Sequence, residues 1–184
     1  MGAGFLAAWA LSACAPRYLI YSPEKFAPLG IKAALGEFSI QDERPDQKAI
    51  HIAFFESSKP SIFPSPLDSA HTTAIREQLT RNLEGGARTF TFRINLQKAE
   101  AGYQAGFMRR EESAQAKLKM EVFESGRKLS ECNGSAELQR KSQKASEKML
   151  KRMFRESLVL AIYKCLEAVK PELQKTGPRN GEKI

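Results

Sequence analysis

The chain has 184 residues, of which 42% are hydrophobic and 27% charged, and its formal net charge is +8. This composition is typical of one globular domain with a tail or two and excludes an intrinsically disordered chain. Residues 127–184 contain 14 Lys and Arg against 7 Asp and Glu, so nearly all of the positive excess lies in the last third. An excess of this kind favours an anionic partner, such as a lipid headgroup surface or a nucleic acid.

The N-terminal stretch, residues 2–15, is apolar but shorter than the roughly 18–20 residues of a membrane span. An uncharged apolar core followed by small residues predicts a secretory signal peptide over residues 1–13. Leu11, Ser12, Ala13 and Cys14 match a bacterial lipobox, in which the cysteine is acylated and becomes the first mature residue. The alternative is a short buried N-terminal helix with Cys14 as a core residue. Only the terminal amine, and no Lys or Arg, precedes the apolar core.

The remainder divides into a tether, one domain and a tail. Residues 14–30 carry Pro16, Pro23 and Pro28, which oppose regular structure and predict a tether after the lipidated cysteine. Residues 31–171 form the predicted single α+β domain. Residues 172–184 are the predicted disordered tail.

The domain begins with two predicted strands. Residues 31–40 are rich in β-forming residues, residues 42–46 have the composition of a turn, and residues 50–54 alternate in hydrophobicity. Together they predict a hairpin or a paired edge. Residues 59–66 contain three prolines and predict a loop.

A helix is predicted next. Ser65 is the expected N-cap, Pro66 suits the first helical position, and Asp68 stands where a capping box requires an acid. The glycine pair at residues 85–86 is expected to end the helix. Apolar residues recur every four positions along one face, at Ile75, Leu79 and Leu83.

Three further strands follow. Residues 89–96 alternate most clearly, whereas residues 103–112 are irregular and predict a loop. Residues 116–122 and 132–138 also alternate and are joined by a predicted hairpin turn over residues 124–127.

A long helix is predicted over residues 142–169 and is expected to stop at Pro171. The order of elements is then β-β-α-β-β-β-α. This order predicts a two-layer α+β sandwich, in which two helices cover one face of a mainly antiparallel sheet. The apolar stripe of the long helix consists of Leu150, Phe154, Leu158, Ala161, Ile162, Cys165 and Val169.

Two cysteines remain if Cys14 carries lipid. Cys132 and Cys165 project from the apolar faces of their elements and could meet in the core. An oxidising compartment would favour a bridge between them, which would stabilise the fold by roughly 3 kcal/mol in the chain-entropy model. The alternative is two buried free thiols that pack as small hydrophobic groups.

The chain lacks the usual motifs of enzymes. It has no CxxC pair, HExxH, GxSxG or P-loop sequence, so we predict no catalytic residues, no metal and no cofactor. His51 and His71 have no cysteine or suitably spaced carboxylate beside them, so both are expected to be ordinary structural residues.

A basic band marks the start of the last helix. It favours either a solvated helix face or contact with an anionic surface of phospholipid headgroups or lipopolysaccharide. Nucleic-acid binding is not expected, because exposed aromatic residues do not alternate with the basic ones. The band comprises Lys144, Lys148, Lys151, Arg152 and Arg155.

The order of features also resembles a known family. A lipobox, a tether, a strand that ends in Asp42-Glu43-Arg44, a capped helix, a hairpin and a C-terminal helix resemble the YajG-type bacterial outer-membrane lipoproteins. In outline the chain is also similar to the LptE-type lipoproteins, which plug the lipopolysaccharide translocon. The YajG-type resemblance implies a small envelope protein, and neither resemblance implies an active site. Ala15 after the lipidated cysteine indicates the outer membrane if sorting follows the common bacterial rule.

Two functions of different class follow. The first is a non-enzymatic envelope lipoprotein, anchored by lipid in the outer membrane and facing the periplasm. It would bind an outer-membrane or transport protein, or an anionic glycolipid. The second is a cytosolic basic α+β binding module whose N-terminus is a buried helix.

Overall fold

The computed structural model describes residues 26–44, 50–52, 61–63, 67–105, 110–141 and 147–175. Strands β1, β4, β5 and β6 form one sheet in that order, with β1 parallel to β4 and the other pairs antiparallel. Two helices complete the predicted two-layer α+β sandwich, and the fold class is confirmed. The elements are β1 (Ala34–Asp42), β2 (Ile50–Ile52), β3 (Ser61–Phe63), α1 (Ser69–Asn82), β4 (Thr89–Ala105), β5 (Arg110–Glu124), β6 (Arg127–Lys141) and α2 (Glu147–Leu173).

The core lies between the sheet and the helices. Alternate side chains of β4, β5 and β6 point toward α2, whose apolar stripe covers them, and the fully buried ones each contribute roughly 1.5–3 kcal/mol. The opposite face of the sheet is polar and open. The buried side chains of the sheet include Phe90, Phe92, Ile94, Leu96, Leu118, Met120, Val122, Ala136 and Leu138.

The first two strands do not form the predicted hairpin. β1 pairs in parallel with β4, because α1 carries the chain back across the sheet before β4 begins. β2 pairs instead with β3, which lies inside the predicted loop at residues 59–66. Both predictions were therefore wrong. A nine-residue strand satisfies more backbone groups beside the long β4 than beside a strand of three residues.

The predicted loop over residues 103–112 is also wrong, because β4 and β5 continue as a long hairpin. Tyr103 pairs with Glu112, and the ladder extends to Ala105 and Arg110. A bulge after Leu96 shifts the alternation by one residue. The inward positions beyond it are held mainly by alanine, which has weak β propensity, so the pattern is hard to recognise.

Helix α1 begins later than predicted. Asp68 is its N-cap, and the Asp68 side chain accepts a hydrogen bond from the backbone N–H of His71 at 3.0 Å. Ser65, the predicted cap, lies outside the described residues. Asp68 is therefore the N-cap residue itself, and not the third helical residue of a capping box whose N-cap is Ser65.

The same helix ends before the predicted glycine pair. Asn82 is its last residue, and Leu83 turns to extended backbone and forms a parallel bridge with Ile31. Gly85 and Gly86 have φ values of 82° and 144° and form the turn that leads into β4. The strand-like contact of Leu83 ends the helix, and the glycines redirect the chain.

Helix α2 passes through Pro171 instead of stopping there. Pro171 lies in the last turn, where its ring removes only one helical hydrogen bond. Leu173 is 1% exposed, and its carbonyl accepts a hydrogen bond from Arg88 Nη1 at 2.6 Å. The burial of Leu173 and the hydrogen bond from Arg88 offset the helical hydrogen bond that Pro171 cannot donate. Of the predicted span of 142–169, residues 142–146 lie outside the described part.

The first described residues, 26–29, lie beside the two helices. Leu29 is buried, and its backbone N–H donates to Asn82 Oδ1 at 3.1 Å. The ring of Phe26 packs on Tyr163 with centroids 4.9 Å apart. Among the described residues, no helix combines the length and the apolar character needed to cross a membrane.

Candidate functional site

The two predicted cysteines meet between the sheet and α2. The structure joins Cys132 on β6 to Cys165 on α2 as a disulfide, with Cα atoms 5.6 Å apart. Gly134, two residues further along β6, lies against the same helix. A Cβ at this position would stand 2.4 Å from the carbonyl oxygen of Ala161. The absent side chain therefore allows β6 and α2 to approach closely beside the disulfide.

Four of the five predicted basic residues lie along one side of α2. Lys148, Lys151, Arg152 and Arg155 are spaced three and four residues apart, so they share a helix face. Lys144 lies outside the described residues, as do the lipobox residues Leu11, Ser12, Ala13 and Cys14.

This side of α2 faces α1 across a groove that contains two adjoining hollows. The larger hollow has a volume of about 790 Å³ and is lined by residues of both helices, among them Arg81, Arg155 and Val159. The smaller hollow, of about 650 Å³, lies at the N-terminal ends of the helices and includes Asp68 and Lys148. We call the two hollows together the interhelical groove.

Positive charge dominates the smaller hollow. Two lysines and two arginines line it against the single carboxylate of Asp68. Arg152 is paired with Glu156 through a 2.7 Å contact. Lys148 and Arg155 form no ion pair within the part of the chain that the structure describes. The hollow therefore carries a local positive charge that an anion could neutralise.

Asp68 and His71 form the wall of the groove on α1. The Asp68 side chain accepts a hydrogen bond from the backbone N–H of His71, and its Oδ1 lies 2.6 Å from His71 Nδ1. The backbone N–H of Asp68 also donates to His71 Nδ1 at 3.3 Å, so the two residues form a capping box at the start of α1. Nε2 is buried and has no hydrogen-bond partner among the described residues.

Burial controls the ionisation of His71. The side chain is 7% exposed and packs on Phe154, and this burial lowers its pKa below 6.5. The charge of Asp68 opposes the shift, whereas Arg155 and Arg44 add to it. Burial alone would raise the pKa of Asp68, but the hydrogen bonds and charge of His71 lower it overall.

The end of β1 contributes a further cation behind His71. Arg44 is 5% exposed and is paired with Asp42 through its Nε and Nη2 atoms. Asn95 Nδ2 donates to Glu43 Oε1 at 2.8 Å, which fixes the intervening residue. The Asp42-Glu43-Arg44 segment that carried the family resemblance is thus a structural corner, and the charge of Arg44 acts on His71.

The basic band was found from the sequence, but its partners on α1 were not. His71 was expected to be ordinary because no ligand-forming residue stands beside it in the sequence. The sequence did contain a signal for the contact between Asp68 and His71, because a spacing of three residues brings an N-cap and the third helical residue together. Arg81 and Arg44 are brought near only by the packing of the helices and β1.

No group of three or more His, Cys, Asp or Glu residues suited to hold a metal occurs in the described ranges. The groove instead offers guanidinium and ammonium donors. Such groups bind phosphate or carboxylate through charge-assisted hydrogen bonds. The groove therefore has a cationic lining.

Comparisons with known proteins give limited likenesses. No family model matches this chain, and no curated protein matches it. Among solved structures, it is similar to a DUF330 protein from Xanthomonas campestris, with 12% identity, a TM-score of 0.45, and coverage of 77% of this chain and 88% of that one. It is also similar to a minor lipoprotein from Acinetobacter baumannii, with 13% identity, a TM-score of 0.36, and coverage of 75% and 96%. No function follows from likenesses at these values.

Proposed function

We propose that this chain is a non-enzymatic bacterial envelope lipoprotein that binds an anionic glycolipid in the interhelical groove. The observation that carries the binding role is the excess of cations in the smaller hollow, where Lys148 and Arg155 have no ion pair among the described residues. Guanidinium and ammonium groups recognise phosphate, which many bacterial glycolipids carry.

The anchor is proposed from the sequence. Leu11-Ser12-Ala13-Cys14 follows an apolar run, and acylation of Cys14 would attach three acyl chains, each stabilised by about 0.8 kcal/mol per buried CH₂. The disulfide between Cys132 and Cys165 suits an oxidising compartment such as the periplasm. Ala15 favours the outer membrane under the common sorting rule. Within this class the YajG-type assignment is the first proposal and the LptE-type role the second.

Metabolic labelling with a palmitate analogue tests the anchor. We expect label on the wild-type chain and none on Cys14→Ser, because the acylated sulfur is then absent. Cys132→Ser is the matched control and should keep its label. An unlabelled wild-type chain would exclude the lipoprotein and favour the cytosolic binding module with a buried N-terminal helix.

A binding measurement tests the groove. Purified lipidated chain in detergent would be titrated with lipid A and with its dephosphorylated form. Replacing Lys148 and Arg155 together by Gln should weaken lipid A binding about a hundredfold or more, because charge-assisted hydrogen bonds contribute roughly 1.5–3 kcal/mol each. The matched control changes Lys117 and Arg127, two exposed cations of the sheet layer, to Gln and should bind as the wild type. Equal binding of both lipid forms would exclude phosphate recognition.

Capture from solubilised membranes tests the partner-protein alternative. A large outer-membrane barrel in the captured fraction would support the LptE-type role. A transporter subunit would support an auxiliary role in transport. In either case, loss of capture with the Lys148 and Arg155 variant would assign the contact to the groove.

A further inference from the structure

We infer that the α1–α2 face of the domain lies against the anionic phospholipid surface that holds the chain's own anchor. This inference rests on the proposed lipidation of Cys14 and adds the orientation of the domain on the membrane. The face consists of the interhelical groove and the N-terminal entry of the described chain at Phe26.

Phe26 and Ala27, where the described part of the chain begins, lie on the same side of the molecule as the basic residues. Arg81 Nη2 donates to the carbonyl of Phe26 at 3.1 Å, and Tyr163 Oη donates to the carbonyl of Ala27 at 3.4 Å. Arg81 also lines the larger hollow together with Arg155. The chain from Cys14 therefore reaches the fold at the edge of the groove, on the helical layer.

The chain between Cys14 and Phe26 is too long to fix the orientation of the domain on the membrane. Phe26 follows Cys14 by twelve positions, and a chain of that length extends to at most about 40 Å. A domain of this size has a radius of gyration of about 15 Å. The link alone would thus allow either face to turn toward the membrane, so surface charge decides which face is favoured.

The two faces differ in how their charges are grouped. On the open sheet face, Lys119 and Lys128 are both paired with Glu121 and Glu131, whereas the exposed Lys117 and Arg127 have no ion pair among the described residues and share no hollow with another cation. The interhelical groove as a whole is lined by five cations and three carboxylates, and Lys148 and Arg155 have no ion pair among the described residues. Basic residues near an anionic leaflet are attracted within about one Debye length. The helical face is therefore the one that an anionic surface attracts.

Tryptophan reporters can measure the orientation. The only tryptophan, Trp9, precedes Cys14 and would leave with the signal peptide, so the lipidated chain would have no background tryptophan emission. One reporter would be Thr73→Trp, which is exposed on the groove wall, and the other Asn133→Trp, which is exposed on β6. The lipidated chains would be placed in phosphatidylcholine–phosphatidylglycerol vesicles that contain a headgroup-nitroxide lipid.

We expect much stronger quenching at position 73 than at position 133. High salt, or vesicles of phosphatidylcholine alone, should reduce the quenching at position 73 to the level at position 133. Reversal of two cations, Lys148→Glu with Arg155→Glu, should lower the ratio of docked to undocked protein about thirtyfold or more. The matched reversal of Lys117 and Arg127 should leave the quenching at position 73 unchanged.

The two proposals fail in different ways. Equal quenching at both positions in anionic vesicles, with the protein floating together with the vesicles, would overturn the docking inference and leave the anchor intact. A purified chain whose mass still includes residues 1–13, or that does not float with the vesicles, would overturn the anchor itself. The salt series needs no substitution in the groove, so a groove variant that fails to fold does not remove the test.

Discussion

The contact between Gly134 and α2 supports a quantitative prediction for Gly134→Ala. The added Cβ would stand 2.4 Å from the oxygen and 3.2 Å from the carbon of the Ala161 carbonyl, and 3.0 Å from Cys165 Sγ. These atoms belong to two fully buried residues of α2, one of which forms the disulfide, so the strand and the helix must move apart. Overpacking of this kind costs roughly 1–3 kcal/mol. Because glycine loses more backbone entropy on folding than alanine, the substitution also stabilises the strand by roughly 0.5–1 kcal/mol.

We therefore expect Gly134→Ala to lower the free energy of unfolding by about 1–2 kcal/mol, or the Tm by roughly 3–6 °C. Urea unfolding of the oxidised protein, followed by circular dichroism, measures the change. Ser135→Ala is the matched control: its side chain is exposed on the same strand, and it should shift stability by less than about 0.5 kcal/mol. If Gly134→Ala unfolds at the same urea concentration as the wild type, the close approach of β6 and α2 is not as described.

Three further predictions concern the groove and the disulfide. Asp68→Ala should lower the free energy of unfolding by about 1 kcal/mol, measured by urea unfolding at neutral pH, because it removes the N-cap of α1. The stability of the wild type should fall as the pH drops below 6.5, because burial lowers the folded-state pKa of His71 and the unfolded chain then binds that proton more tightly. His71→Gln should show a shallower fall over this interval in parallel urea titrations. Reduction of the Cys132–Cys165 disulfide should lower the free energy of unfolding by roughly 3 kcal/mol, measured with and without reductant.

Each of these has a discriminating result. An unchanged stability in Asp68→Ala would show that the cap contributes nothing to the fold. A pH dependence equally steep in His71→Gln would assign the titration to another group. A variant with alanine at both Cys132 and Cys165 should be insensitive to reductant, and loss of stability in that variant on adding reductant would exclude the disulfide as the cause.

Patterns with an uninterrupted period were predicted correctly from the sequence. The strand at residues 89–96 and the core positions of the last helix follow from alternation and from the helical repeat, because each buried face recurs at fixed spacing. The two structural cysteines were also placed correctly on inward faces. These signals are local, so neighbouring residues alone determine them.

The errors arose where local signals and tertiary contacts disagree. The bulge after Leu96 displaced the alternation and concealed the second half of β4. Pro171 indicated a helix end, but the burial of Leu173 and its bond from Arg88 keep the last turn helical. The strand β1 pairs with β4, which begins some fifty residues later in the chain, and no local pattern identifies so distant a partner.

The sequence by itself determined the fold class, the basic character of α2 and the lipobox-like stretch at Leu11–Cys14, because composition and periodicity are properties of neighbouring residues. Only the tertiary structure decided that the basic side of α2 faces Asp68 and His71 across a groove. It also decided that Phe26 enters beside Arg81 on that same side. The physical reason is that a binding surface combines charges from distant segments, and packing of the hydrophobic core sets which segments become neighbours.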